Sequence, residues 1–193
     1  MRFSIVAAID ANRGIGSKNN LPWDLKGDMN HFKSLTAQIP EDEYFNYFNV
    51  VIMGRKTWDS IPIKFKPLPN RINIVLSSQS SDNVIGDVKN KHLVYVVNDW
   101  QDVFNLVNKI NKIGEIEGVD NEKPISINNL FVIGGQKIYE SAINHPYCDK
   151  LYLTNVYHKY EADTFFPNLS DGRNEYTLTN VSEFQSDYDS IIE

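Results

Sequence analysis

Val50-Val51-Ile52-Met53-Gly54-Arg55-Lys56-Thr57-Trp58 joins four apolar residues to a glycine and then to a cationic turn. Four consecutive apolar, largely β-branched residues closed by a glycine are too few for a buried helix and suit a strand covered on both faces. The residues after Gly54 then read as a short helix. Its first-turn N–H groups lack intrahelical acceptors, and together with Thr57 and two cations they form a natural cradle for phosphate. Arg55 and Lys56 oppose the dipole at a helix N-terminus, so an anion beside them would relieve a local conflict. Solvated basic side chains are the alternative, reasonable for Lys56 and less so for the whole group.

The same plan recurs outward from this stretch. Phe3 to Ile9, Asn49 to Met53, Ile72 to Leu76, Leu93 to Val97, Leu130 to Ile133 and Leu151 to Val156 are apolar, β-branched runs of strand length. Helical patterns lie between them. Asp99 is placed to cap a helix in which Trp100, Val103, Phe104, Val107 and Ile110 make one apolar stripe, and Ile138, Tyr139 and Ala142 make another after Gly134-Gly135. Strands alternating with helices require crossovers and therefore a largely parallel sheet. Tyr176 to Phe184 and Tyr188 to Ile192 follow one another without a helix and predict an antiparallel hairpin. The expected fold is α/β, one domain over residues 1–193, with a mostly parallel central sheet, flanking helices and a C-terminal antiparallel hairpin. Pro40 to Phe48 and Gly114 to Asn128 read as loop insertions.

Composition narrows the function. The 193 residues are 41% hydrophobic and 23% charged, enough apolar content for one sizeable core. A net charge of −6 argues against nucleic acid as the main ligand, because modules that bind it usually carry a basic face. Any anionic ligand must be held by local cations. Cys148 is the sole cysteine, which excludes an internal disulfide, and neither it nor His31, His92, His145 and His158 shows metal-ligand spacing, so no metal is expected. The apolar stretch from Phe3 to Ile9 is too short for a signal peptide or a membrane span. The expectation is a cytoplasmic protein with no membrane association.

Leu21-Pro22-Trp23-Asp24-Leu25-Lys26-Gly27-Asp28-Met29-Asn30-His31-Phe32 places one carboxylate among apolar side chains. With Asp24 capping a helix that begins at Leu25, a rotation of ~100° per residue puts Leu25, Met29, Phe32 and Leu35 on one face with Asp28 among them. A buried acid is costly unless it is neutral or paired with a cationic donor, so Asp28 reads as a polar anchor in an apolar pocket. An acid facing solvent near a helix N-terminus is the alternative. Gly14-Ile15-Gly16 lacks the third glycine of a dinucleotide fingerprint and precedes Leu21-Pro22-Trp23 rather than a helix, so it suits a flexible flap over a pocket. Ile133-Gly134-Gly135-Gln136 is either a turn that lets a ligand approach the backbone or a plain tight turn. Arg71, after Pro67-Leu68-Pro69-Asn70, offers a fork suited to a carboxylate, or is solvated.

Gly14-Ile15-Gly16, Leu21-Pro22-Trp23, Ile52-Met53-Gly54-Arg55-Lys56-Thr57-Trp58, Ser60-Ile61-Pro62, Pro67-Leu68-Pro69-Asn70-Arg71, Ile133-Gly134-Gly135, Tyr139 and Asp163-Thr164-Phe165-Phe166-Pro167 resemble the dihydrofolate reductase family. They occur in its order and approximate spacing over nearly the whole chain, and the ordered set is far more specific than any member. The neighbourhoods of Ser60-Ile61-Pro62 and Arg71-Ile72-Asn73 look eukaryotic, protist or fungal in particular. Asp28 resembles bacterial and protist forms, since vertebrate members carry Glu there.

The resemblance implies NADPH-dependent reduction of 7,8-dihydrofolate to 5,6,7,8-tetrahydrofolate, which supplies one-carbon carriers for thymidylate and purine synthesis. It also implies binding of antifolate inhibitors. Asp28, Trp23 and Tyr139 would be the catalytic group. Asp28 would accept two parallel hydrogen bonds from the amino-pyrimidine edge of the pterin, and Trp23 would help hold an ordered water. Ile5, Ala7, Met29, Phe32, Ile61, Leu68 and Ile133 would surround the substrate, with Arg71 on its glutamate α-carboxylate and Thr154 supporting Asp28. The nicotinamide would lie against Ala7, Ile15, Ile133 and Tyr139, and solvent is the implied proton source. Gly54, Arg55, Lys56, Thr57, Gly135 and Gln136 would hold the cofactor phosphates, with Ser77 and Ser78 near the adenosine ribose; Gly16, Leu21, Leu76 and Gly134 would also bind the cofactor.

Two positions depart from much of the family. Many eukaryotic members have Arg where this chain has Ser78, which shifts recognition of the 2′-phosphate toward Arg55. Met29 replaces a common Phe. Reduction of another pterin or of a pyrimidine intermediate of flavin synthesis, and a non-catalytic folate or nucleotide carrier, are the competing functions; the pairing of Asp28 with Arg71 favours a folate. Protist members often continue into a thymidylate synthase domain, so the sequence stopping just after Ser190-Ile191-Ile192 fits either a naturally short reductase or a reductase domain of a longer bifunctional chain, the second being the expectation.

Overall fold

Each of the six apolar runs becomes part of a strand in the computed structural model, which describes residues 1–171 and 176–182. The strands are β1 (Phe3–Ile9), β3 (Asn46–Gly54), β4 (Arg71–Leu76), β5 (Val94–Val97), β6 (Ile125–Gly134) and β7 (Cys148–Asn155). They form one sheet in the order β5-β4-β3-β6-β1-β7, and every neighbouring pair is parallel. Helices α1 (Lys26–Ala37), α2 (Arg55–Ser60), α3 (Ser81–Ile85), α4 (Trp100–Ile113) and α5 (Gln136–Ile143) make the connections.

Both faces of the sheet are covered, which explains why the strands read as unbroken apolar runs. Phe3, Ile5 and Ala7 of β1, Val50 and Ile52 of β3, and Ile72 and Ile74 of β4 pack with α4 and α5 on one side. Val6, Val51, Met53 and Val75 point the other way, against Trp58 and, more peripherally, Phe32 and Leu35. Helix α4 follows its sequence pattern closely: Asp99 accepts a hydrogen bond from the Asp102 N–H, Gly114 closes the helix at φ 73°, and Val103, Phe104, Val107 and Ile110 are buried.

Two expectations are corrected. Helix α1 begins at Lys26, with Leu25 as its N-cap and no side-chain cap, so Asp24 does not start it. Trp23 and Leu25 are both drawn into the interior while Asp24 stays exposed, an alternation that holds this segment extended one residue longer. The two insertions are only partly loops, because Asn46, Tyr47 and Phe48 of the first pair with Ile125, Ser126 and Ile127 of the second. Each supplies the hydrogen-bond partners that the other lacks, and β3 and β6 lengthen together. The C-terminal hairpin falls largely outside the described residues, and Tyr176 to Ser182 carry no strand. The antiparallel element that is present joins β2 (Gly14–Gly16) to β8 (Thr164–Phe165). Among the described residues no helix is long and apolar enough to cross a membrane, and no cluster of three or more His, Cys, Asp or Glu side chains could hold a metal ion.

Candidate active site

Strand β6, formed late in the sequence, lies between β3 and β1. The winding of the chain therefore changes direction at these strands, and a crevice at their C-terminal ends is where open α/β sheets bind ligands. Ala7, Gly54, Ile133 and Gly134 stand at those ends. Buried Tyr139, on α5, donates its hydroxyl to the Val6 carbonyl at 2.8 Å and stacks obliquely on Phe166. Burial and the charge of Asp28 drive its phenol well above the usual tyrosine range. Its ring is thus a fixed wall, and its proton is held by the main chain.

Asp28 occupies the first turn of α1 and is only 5% exposed. Burial raises its carboxyl above the usual range, and the hydrogen bond from Trp23 and the charge of His31 pull against that rise. Trp23 is itself buried and donates Nε1–H to Asp28 Oδ2 at 3.2 Å. The solvent-facing reading of Asp28 is therefore excluded. Phe32, Ile61 and Leu68 are half-buried near the same apolar cluster, and Met29 is exposed. Ile5 is wholly buried in the opposite layer. Thr154 stands on β7 in register with Ala8, and no direct hydrogen bond joins it to Asp28 among the described residues.

At the far end of α1 lies Arg71, 2% exposed, its charge lowered to a pKa of about 10 by burial. Nη1 donates to Thr36 Oγ1 at 2.6 Å, Nε donates to the Pro69 carbonyl at 3.0 Å, and the guanidinium lies over the Phe32 ring at 5.7 Å. None of the described carboxylates pairs with it. Thr36, to which Arg71 is bonded, lies eight positions beyond Asp28, a rise of about 12 Å along α1.

The helices α2 and α5 start close to one another without side-chain caps. A Cβ at Gly135 would lie 3.2 Å from Thr57 Oγ1, so the two turns approach closely and a side chain there would require Thr57 to shift. Arg55 donates to Asp59 at 3.0 Å and to the Gln79 side chain, which directs it toward the segment after β4 that holds Ser77 and Ser78. Ser77 and Leu76 are half-buried; Ser78 and Lys56 are exposed. The Gln136 amide is committed elsewhere, accepting from the Phe165 N–H and donating to Glu140, which leaves its main-chain N–H at the start of α5. Gly16 of β2 is buried, Ile15 half-buried and Leu21 exposed. The predicted flap is pinned by more than its pairing with β8: Lys18 N–H donates to Asp163 Oδ2 at 2.8 Å, and Asp163 N–H donates to the Gly16 carbonyl at 2.9 Å.

Several residues of this frame were not singled out from the sequence. Asn49, fully buried, donates to the Thr36 and Gln38 carbonyls and so holds the end of α1 to β3. Asn73, also fully buried, exchanges hydrogen bonds with the Leu68 main chain and donates to the Arg71 carbonyl. Asp10 gathers main-chain N–H groups where β1 ends. The available signal was a polar side chain inside, or directly after, an otherwise apolar strand.

A buried acid and two helix starts led by glycines, set on a parallel sheet, describe an α/β fold of the kind that binds small-molecule ligands at its strand ends. The family model for dihydrofolate reductase matches residues 2–192. A dihydrofolate reductase of Pneumocystis carinii is 34% identical over 189 residues, covering 98% of this chain and 84% of its own. One from Heliothis virescens is 38% identical over 169 residues, covering 88% and 80%. A bifunctional dihydrofolate reductase-thymidylate synthase of Daucus carota is 36% identical over 169 residues, 88% of this chain but 29% of that protein. The chain belongs to the dihydrofolate reductase family, and it is an oxidoreductase that reduces dihydrofolate to tetrahydrofolate.

Proposed function

We propose that the chain is one reductase domain over residues 1–193, that NADPH is its hydride donor, and that dihydrofolate lies along α1 from Asp28 to Arg71. The observation that carries this reading is a buried acid in the first turn of that helix and, bonded to Thr36 about 12 Å further along it, the buried Arg71 of β4, which pairs with no acid among the described residues. A ligand with an amino-pyrimidine edge at one end and a carboxylate at the other satisfies both. Phe32, Met29, Ile61 and Leu68 would flank its middle. Asp28 would hold the pterin edge, and Trp23 would hold Asp28.

NADPH, when bound, supplies the hydride. The paired helix starts, the bare Gly135 and the cations of α2 suit its phosphates. Ala7, Ile133 and the Tyr139 ring would set the nicotinamide against the pterin in near-attack geometry. With its hydroxyl held by Val6, Tyr139 orients and does not deliver a proton. The proton would come from solvent, and the flap over the site would strengthen the field that favours it. Loss of NADPH on adding dihydrofolate, followed spectrophotometrically, tests the reading; no loss with a well-folded protein would end it.

Two variants probe the ends of the site. Arg71→Leu should raise KM for dihydrofolate about 10- to 100-fold, because a charge-assisted bidentate contact of ~1.5–3 kcal/mol is removed. Binding of a pterin without the glutamate tail should change little, and equal weakening of both ligands would make Arg71 a purely structural residue. Arg55→Ala should shrink the preference for NADPH over NADH about tenfold, since a net-acidic protein needs local cations to hold a 2′-phosphate. An unchanged preference would move that role elsewhere, Lys56 being the nearest cation. The Daucus carota relative also supports looking beyond codon 193 for a fused synthase domain; a stop codon there would remove that extension and leave the reductase reading intact.

A further inference from the structure

Asp10 follows the last residue of β1 and is only 4% exposed. Its carboxylate touches neither of the proposed ligand positions. Oδ1 accepts the N–H of Asn12 at 2.8 Å and that of Gly14 at 2.6 Å, and Oδ2 accepts the N–H of Tyr160 at 2.9 Å. The first two donors lead into the flap strand β2, while the third belongs to the segment between β7 and β8. Two main-chain bonds reinforce the junction, from Asp10 N–H to the Gly14 carbonyl at 3.0 Å and from Ala11 N–H to the His158 carbonyl at 3.0 Å. One carboxylate thus ties the turn between β1 and β2 to a segment 150 residues further along the chain.

Beyond Tyr160 the connection reaches the substrate anchor. The Tyr160 ring lies 5.4 Å from that of Trp23, and Trp23 donates to Asp28 at 3.2 Å. We propose that Asp10 is a positioning residue for the reaction: by holding the Tyr160 main chain and the root of the flap together, it sets the ring that buttresses Trp23, and through Trp23 the orientation of Asp28. Only a carboxylate supplies acceptors in two directions with no donor of its own, so neither Ser nor Asn reproduces the arrangement. Burial pushes the Asp10 carboxyl up, but the N–H groups of Tyr160, Gly14 and Asn12, with Lys159 nearby, outweigh that and hold it below the ordinary range. The clasp is therefore charged at neutral pH.

The test uses the full chain and two variants. Asp10→Asn removes one acceptor and turns an amide donor toward main-chain N–H groups. Its kcat should fall about tenfold, with KM for dihydrofolate changing less than about twofold, in the folded fraction measured by circular dichroism. The groups facing Asp28 are Trp23, His31 and Tyr139, of which the Trp23 hydrogen bond and His31 lower its pKa. Loosening Trp23 should therefore move the midpoint that Asp28 sets in the pH profile of kcat upward by roughly 0.5 unit. Tyr160→Leu leaves the carboxylate and all three N–H groups in place and should produce the same upward displacement. If Asp10→Asn does not fold, the Tyr160→Leu profile decides alone. An unchanged midpoint in Tyr160→Leu, or an Asp10→Asn loss equal to its unfolded fraction, would overturn the proposal and leave Asp10 a brace for the fold.

Discussion

Asp28→Asn is expected to lower kcat/KM for dihydrofolate at pH 7 by about 10²- to 10⁴-fold while leaving the folded protein at least as stable. The amide keeps the shape and an acceptor for Trp23 Nε1 but loses the charge that pairs with the protonated substrate edge, a loss of roughly 3–5 kcal/mol in a buried setting. The stability expectation follows from the direction of the pKa. Burial raises the Asp28 carboxyl in the fold, so its ionisation costs folding free energy. That cost is absent below the ordinary carboxylate value of ~3.9 and complete once the pH exceeds the raised value of the folded state. Asn carries no such penalty, and the unliganded variant should melt at an equal or higher temperature at pH 7. Steady-state kinetics with thermal melting check both halves. Near wild-type kcat/KM would remove Asp28 from the mechanism, and a lowered melting temperature would show that its charge is compensated in the unliganded fold.

Gly134→Ala should lower Tm by about 5–15 °C and weaken NADPH binding in parallel. Gly134 has φ 118°, a backbone region that costs a residue with a Cβ about 1–3 kcal/mol. The added carbon would also lie 3.1 Å from the Tyr139 hydroxyl oxygen and 3.2 Å from two of its ring carbons. Tyr139 has little room to yield, since its hydroxyl is bonded to Val6 and its ring centroid is 5.0 Å from that of Phe166. Overpacking of this kind adds about 1–3 kcal/mol, and for a chain of this size each kcal/mol is worth roughly 2–4 °C. Because Gly134 ends β6 and leads into α5, relief by backbone movement would displace the α5 turn that faces α2. A melting temperature within about 2 °C of the parent would mean that the turn adapts freely.

The strands were legible because burial on both faces leaves no polar alternation to obscure them. Helix α4 was legible because its cap and stripe are local. Asp28 could be singled out because an acid amid Leu25, Met29 and Phe32 conflicts with its neighbours at helical spacing. Reading failed where a residue's state depended on remote partners. Asp24 looked like a cap until the burial of Trp23 and Leu25 drew the segment out straight, and the two insertions looked like loops because each strand extension exists only when the other is beside it.

Periodicity and glycine turns implied an α/β sheet and its helix connections, because burial on both faces and the turn after a strand leave local patterns, and the ordered motifs carried the resemblance to the reductase family. Only the tertiary structure decided that β6 enters between β3 and β1, that Arg71 is buried with no acid beside it among the described residues, that the Tyr139 hydroxyl donates a hydrogen bond to the Val6 carbonyl, and that Asp10 joins the flap to Tyr160. Each depends on a polar group finding a partner many residues away. Hydrogen-bonding capacity is visible in a residue's type, but the partner that satisfies it is set by the packing of the whole chain.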